Sequence, residues 1–354
     1  MRRRERFVQD TRLLSNPLRY GRAQLVSQLL NHIHLVENCA VSRATTQLQA
    51  LRKKNNLYTL SATYTQSTSY IGNDFISGDF NFFTAADPTA GRVTYVDQAT
   101  AAAANLTFAT DDVFVLRADD TTVLSASDPG RKSVRLESVL TFGSPSAMVL
   151  DIAHMPEGCG TWPALWTYGP NWPSVNNQNN NQGTLHTGPS CTMPASRTQT
   201  GTVLNDDCAA ADDGNDGCGV EFAANTFGPS FNAAGGGWFG MERTSTFISI
   251  WFWPRGSTTV PAGVSEGDTE VVTDNWGTPV AYFPNTDCDI ASEFEAHNFV
   301  INLTFCGDWA GITSVWDLAC AASTGVSDCN DYVNANPSAF SNAYFEINSV
   351  RIYE

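Results

Sequence analysis

Positive charge is scarce in this chain, and the scarcity is uneven. The 354 residues carry 20 Lys or Arg and 36 Asp or Glu, a formal net charge of −16. Residues 1–56 hold 11 of the basic and 3 of the acidic side chains, a net of +8, so residues 57–354 are left with 9 against 33, a net of −24. So acidic a body repels phosphate backbones and leaves a neutral polymer unaffected, which argues against nucleic acid and admits a neutral glycan. Long apolar runs are missing too. Nothing approaches a membrane span, and no uninterrupted apolar stretch follows Met1-Arg-Arg-Arg4 before Ala62, so no signal peptide is legible. No C-x-x-C pair or His/Cys cluster has zinc spacing, and no repeat of fixed period is visible. No metal, cofactor or solenoid is expected.

What is present suits a globular, exported body. Hydrophobic residues make up 42% and aromatics 11%, enough to bury a sizeable core. Cys39 lies in the basic stretch, and the other eight cysteines are Cys159, Cys191, Cys208, Cys218, Cys288, Cys306, Cys320 and Cys329. An even number in a loop-rich acidic body suits four disulfides and an oxidising compartment, with roughly a hundred pairings open. Cytosolic thiols are the competing reading. Two sequons, Asn105-Leu106-Thr107 and Asn302-Leu303-Thr304, make Asn105 and Asn302 candidate glycosylation sites. Residues 1–56 read as a basic extension, in which Leu25, Leu29, Ile33 and Val36 recur at helical spacing. An Arg-rich amphipathic stretch has the composition of a transit peptide, but the body argues for export, so a wrongly assigned start or a nonfunctional addition is expected.

From Tyr58 the texture changes to short alternating segments. In Phe247–Trp253, Ile248, Ile250 and Phe252 fall on one face and Phe247, Trp251 and Trp253 on the other, so this strand belongs between two covering layers. Met148, Leu150 and Ile152 alternate in the same way, as do Val134 and Leu136. Between Ile347 and Val350 the phase flips, which predicts a bulge or bend. Residues 191–231 and 256–284 read as long loops, and long loops between short strands favour a sandwich over an up-and-down barrel. The polar run Asn176–Gln182 reads as a solvated loop.

Four blocks carry a resemblance: Asp87-Pro-Thr-Ala-Gly-Arg-Val-Thr-Tyr-Val-Asp97, His154-Met-Pro-Glu-Gly-Cys-Gly-Thr-Trp-Pro-Ala-Leu-Trp166, Thr184-Leu-His-Thr-Gly188 and Asn302-Leu-Thr-Phe-Cys-Gly-Asp-Trp-Ala-Gly311. Residues 62–354 resemble the fungal endo-β-1,3(4)-glucanases of glycoside hydrolase family 16, the laminarinase-like group. The resemblance implies an all-β fold, a β-jelly-roll sandwich of the concanavalin A-like lectin/glucanase type, with a concave cleft for β-1,3-glucan or mixed-linkage β-glucan. It also implies a retaining mechanism through a Glu-x-Asp-x-x-Glu signature. Retention needs a nucleophilic carboxylate and an acid/base carboxylate about 5 to 5.5 Å apart, and positions i and i+5 of a strand share a face only if one residue bulges out. Here Trp172-Pro173-Ser174 runs directly into Val175-Asn176-Asn177. About nine residues of the type Gly-Gly-Glu-Ile-Asp-Ile-Ile-Glu-Gly are missing between Ser174 and Val175, so no catalytic carboxylate is assigned. So clean an in-frame gap resembles a splicing or gene-model loss.

Glu266-Gly267-Asp268-Thr269-Glu270 mimics a carboxylate array but stands where the family has a variable loop, and a solvated loop is expected. Glu157 lies near the cleft motif without a paired acid and reads as a surface carboxylate. By family position Trp166 and Trp172 are assigned to the glucan cleft, since flat indoles suit the apolar faces of pyranose rings. Trp162 and Trp309 are balanced between cleft and core, and His186 between an active-centre hydrogen bond and a structural one. Asp206–Asp216 holds five Asp but lacks EF-hand spacing, and a Cys208–Cys218 link would already close it. Three functions stand: a β-glucan-recognising monomer unable to hydrolyse, an incompletely recorded active glucanase, and a cell-wall structural or interaction protein.

Overall fold

The structure, a computed structural model, describes residues 62–169, 181–211 and 215–354. The basic extension, Trp172, the Ser174–Val175 junction and most of the Asn/Gln run lie outside the described residues. The chain divides at Leu60 into two units, and the described residues all belong to the second, Ser61–Glu354.

Two antiparallel sheets form the jelly-roll sandwich. The larger, nine-stranded, runs Glu270–Val272, Thr63–Tyr70, Tyr344–Tyr353, Ser146–His154, Gly237–Arg243, Phe247–Pro254 and Ala281–Pro284 in spatial order, with Phe114–Arg117 and Thr107–Ala109 extending it beside Tyr344–Tyr353. The smaller runs Phe80–Phe82, Arg135–Phe142, His297–Phe305 and Thr161–Tyr168. Helices are short pieces in the connections, such as Cys329–Ala335.

Alternation sets the packing. Met148, Leu150, Ile152 and Ile248 from the large sheet meet Leu136, Phe299, Ile301 and Leu303 from the small one in a single core. The opposite face of the large sheet buries Ala147, Val149, Trp238, Trp251 and Trp253 under Val264, Val271 and Trp276. The Phe247–Pro254 strand thus lies between two apolar layers, as its two-faced pattern implied. The phase flip also has its physical cause: the register against Ser146–His154 shifts around Ile347, a bulge that turns both Ile347 and Val350 inward.

Two expected loops hold structure of their own. Thr202–Val203 and Cys218–Glu221 pair beside Gln182–Leu185, and Ala281–Pro284 pairs with residues 247–250. Disulfides hold these segments where little apolar periodicity does. The bridges are Cys159–Cys320, Cys191–Cys288, Cys208–Cys218 and Cys306–Cys329.

Candidate binding cleft

The open face of the four-stranded sheet is assembled by strand register. In Thr161–Tyr168, Leu165 turns into the core opposite Ile301, so Trp162, Trp166 and Tyr168 emerge on the other side, paired with Thr304, Val300 and Asn298. The next strand adds Arg135 opposite Asn302 and Glu137 opposite Val300 on that same face.

Arg135 is the centre of the group. Its guanidinium carbon lies 4.4 Å from the ring centre of Phe83, 5.2 Å from that of Trp166 and 5.9 Å from that of Tyr168. A planar cation among aromatic faces contributes roughly 0.5 to 2 kcal/mol per contact, more as water is excluded. Glu137 neutralises it, with Oε1 2.8 Å from Arg135 Nη2 and 2.9 Å from Nε. Trp166 and Tyr168 are 5.1 Å apart between ring centres. Burial, followed by the charge of Glu137, raises the Tyr168 phenol above its ordinary range, so it stays a neutral hydrogen-bonding group.

Beneath Trp166 several polar side chains are hydrogen-bonded to one another. Trp166 Nε1 donates to Asn302 Oδ1 at 2.8 Å, and Asn302 Nδ2 donates to the Tyr95 hydroxyl at 3.0 Å. Thr304 Oγ1 donates to Asp87 Oδ2 at 2.5 Å, and Thr89 Oγ1 to the same oxygen at 3.0 Å. The carboxylates of this face, Glu137 and Asp87, are thus committed to Arg135 and to threonine hydroxyls. What the face offers is flat, half-buried aromatic surface with few polar edges, the chemistry of a sugar-stacking floor.

A cavity of about 570 Å³ opens beside Thr161–Tyr168, and Trp166, Tyr168 and His186 line it together with Leu165, Met148 and Phe239 from between the sheets. His186 is held by Asn215, whose Oδ1 lies 3.0 Å from Nδ1. Gly217 lies so close that a Cβ there would come within 2.8 Å of the imidazole, and its φ of +67° independently favours glycine.

The structure brings Trp166 and His186 to one cavity and sets two other candidates apart. Trp162 shares the face of Trp166 but is 2% exposed, which favours the core of the two places expected for it. Trp309, half-buried on the short helix Gly307–Ala310, does not line the cavity. Asn302, the other glycosylation candidate, is 7% exposed, and the nitrogen that would carry a glycan donates to Tyr95. Asn105 is exposed. Glu266, Asp268 and Glu270 are exposed beside the large sheet's edge. Glu157 accepts from Asn232 at 2.6 Å. Asp206 pairs with Arg197 at 3.0 Å just ahead of the loop closed by Cys208–Cys218.

Arg135, Glu137, Phe83, Tyr95 and Tyr168 escaped the sequence reading as site residues. Tyr95 lies within the Asp87–Asp97 block, and the alternation Trp166-x-Tyr168 was visible, but their convergence is long-range.

Comparison with known proteins decides the family. The model of the XgeA-like, catalytic GH16 domain matches residues 80–353. The chain belongs to glycoside hydrolase family 16. A probable endo-1,3(4)-β-glucanase of Neosartorya fischeri is 41% identical over 308 residues, 83% of this chain and 46% of that protein. A probable glycosidase of Schizosaccharomyces pombe is 38% identical over 305 residues, 82% of this chain and 70% of its own length. The chain spans about half the length of the Neosartorya and Aspergillus glucanases it matches. Laminarinase 16A of Phanerochaete chrysosporium, solved with β-glucans in its donor and acceptor sites, is 53% identical with a TM-score of 0.79, covering 83% of this chain and 100% of that one. An elongating family 16 β-1,3-glucosyltransferase is 38% identical with a TM-score of 0.75, covering 82% and 100%. This is an endo-1,3(4)-β-glucanase-like family 16 protein with the jelly-roll fold expected of it.

Proposed function

We propose that the chain recognises β-1,3-glucan or mixed-linkage β-glucan along this open face, as an extracellular monomer, and that in the present form it does not hydrolyse it. The observation that carries the reading is the ring of Trp166, Tyr168 and Phe83 around Arg135. Laminarinase 16A, which covers the same domain at 53% identity, holds β-glucan, and that supports the ligand class.

Two further observations support the missing chemistry. Among the described residues, Thr161–Tyr168 ends the small sheet, and the cavity at its side reaches core side chains of the opposite sheet. The open-face carboxylates Glu137 and Asp87 are each held by partners and are not presented as a catalytic pair. A retaining reaction needs nucleophile and acid together.

The test is calorimetric titration with laminarihexaose beside reducing-sugar release from laminarin. Binding that Trp166→Ala weakens at least tenfold, with no sugar released above background, is expected. Hydrolysis by the purified chain would overturn the inactive reading and leave an active glucanase. Absence of binding would leave the cell-wall structural or interaction role.

A further inference from the structure

We infer that Asn215 is a positioning residue that holds His186 in the Nδ1–H tautomer, which leaves Nε2 as an acceptor for a sugar hydroxyl. The inference rests on the glucan reading of the cleft for its purpose, but not for its geometry.

Strand register sets up the arrangement. Cys218 opens the strand Cys218–Glu221 and lies opposite Leu185, so one limb of the chain arrives one residue before His186. The other limb bonds one residue after it. Thr187 N donates to the Cys208 carbonyl at 2.8 Å, and Ala210 N donates to the Thr187 carbonyl at 3.2 Å. His186 thus stands between two residues that each hold one limb, and the Cys208–Cys218 bridge ties the limbs together. Cys208, Cys218, Leu185 and Thr187 are all buried, so this base opens with difficulty and the limbs keep their place against the imidazole.

Local backbone chemistry then brings an amide to the ring. Asn215 has φ +72° and Gly217 φ +67°, both in the left-handed region. Glycine enters that region without penalty, and asparagine is among the few side-chain-bearing residues that do so readily. Gly217 passes so close that a Cβ there would lie 2.6 Å from the Leu185 carbonyl oxygen and 2.8 Å from His186 Nδ1. Two residues earlier, Asn215 combines the left-handed turn with a side chain that can hydrogen-bond the same nitrogen.

Proton counting gives the direction of that bond. Asn215 Oδ1 lies 3.0 Å from His186 Nδ1, and a carboxamide oxygen owns no proton, so Nδ1 donates. A neutral imidazole has a single N–H, and its lone pair therefore stands on Nε2. His186 lines the cavity with Trp166 and Tyr168, where an acceptor suits the O–H groups at a pyranose edge while the aromatic rings take its face. A reversed amide would make Nδ1 the acceptor and Nε2 the donor. The orientation of Asn215 thus decides which hydrogen-bonding chemistry His186 brings to the cavity.

Two variants separate the side chain from the backbone. Asn215→Gly keeps the left-handed turn and removes the amide, whereas Asn215→Asp keeps an accepting oxygen and has no donor to offer. Both are made in the full chain with ¹⁵N-labelled histidine, and His186→Gln assigns the resonances. Long-range ¹H–¹⁵N correlation under alkaline conditions reads the tautomer, and titration with laminarihexaose reads affinity. The parent and Asn215→Asp are expected to show the Nδ1–H form. Asn215→Gly should shift the equilibrium toward Nε2–H and weaken binding by roughly fivefold, the size of one hydrogen bond. In a His186→Gln background Asn215→Gly should weaken binding no further. A parent in the Nε2–H form, a tautomer that Asn215→Gly leaves unchanged, or equal losses for Gly and Asp would overturn the inference. Loss of the Nδ1–H form in Asn215→Gly with no glucan binding by the parent would sink the glucan reading while supporting the role of Asn215.

Discussion

Thr167 Oγ1 lies 3.1 Å from His297 Nδ1 across the paired strands Thr161–Tyr168 and His297–Phe305, at the cavity wall. His297 is 8% exposed, with the Phe294 ring 5.8 Å away, and Arg243, which donates to the Glu295 carbonyl, adds a like charge nearby. Burial first, then Arg243, lowers its pKa from 6.5 to about 4. A folded-state pKa below the unfolded one means the contribution is complete above about pH 6.5 and is lost as pH falls through about 4. The full difference is worth roughly 3 kcal/mol. Thermal midpoints measured from pH 7 to 4 should therefore fall more steeply for the parent than for His297→Gln. Parallel curves would show that His297 protonates without loss of its packing.

Glu242 carries the opposite sign. Tyr64 and Thr273 donate their hydroxyls to its Oε1 at 2.8 and 2.9 Å, yet burial dominates and raises its pKa. A carboxyl with a raised folded pKa contributes most below its unfolded value and loses that contribution as pH rises through the folded one. Gln keeps the accepting oxygen without the charge. Glu242→Gln should raise the thermal midpoint at pH 7 and change it little at pH 4, and a lowered midpoint at pH 7 would show that the ionised form is needed.

Much of the sandwich was legible because its strands write their burial in period two. Ile248 and Trp251, on opposite faces of one strand, announced the two layers that cover them. Ala281–Pro284 was not legible, since four residues after a Gly- and Pro-rich stretch carry no usable period, and pairing with residues 247–250 makes them a strand. The cleft shows the same division. Trp166 and His186 stood out through the blocks that contain them. The Asn302 sequon gave no sign of Tyr95, because that bond joins residues 207 apart in sequence and only the fold brings them together.

Arg135 sets a test of how the aromatic group is held. Arg135→Lys keeps a charge for Glu137 but loses the planar face that lies against Phe83 and Trp166. A loss of about 1 kcal/mol, or roughly fivefold in affinity for laminarihexaose, is expected from the rings' lost support. Unchanged affinity would mean that the rings hold their positions through strand packing alone.

Inserting Gly-Gly-Glu-Ile-Asp-Ile-Ile-Glu-Gly between Ser174 and Val175 should raise both laminarin hydrolysis and the thermal midpoint. Nine extended residues span roughly 30 Å, a full strand. Thr161–Tyr168 pairs with His297–Phe305 on one side, and no described strand pairs with its other edge. Leu165, Met148 and Phe239 line the cavity there, so alternate Ile side chains of an added strand would meet apolar partners while its carboxylates turned to the Trp166 face. Each buried backbone group that gains a partner is worth about 1 to 3 kcal/mol, and a few of these rival the typical net stability of about 5 to 15 kcal/mol. Both forms are compared without residues 1–56 and under oxidising conditions, by calorimetry and by reducing-sugar release. Changing either inserted Glu to Gln should abolish the hydrolysis and keep the gain in stability. If the insertion lowers the midpoint and leaves the protein inactive, the missing strand does not belong beside Thr161–Tyr168, and the assignment of Trp172 to the cleft falls with it.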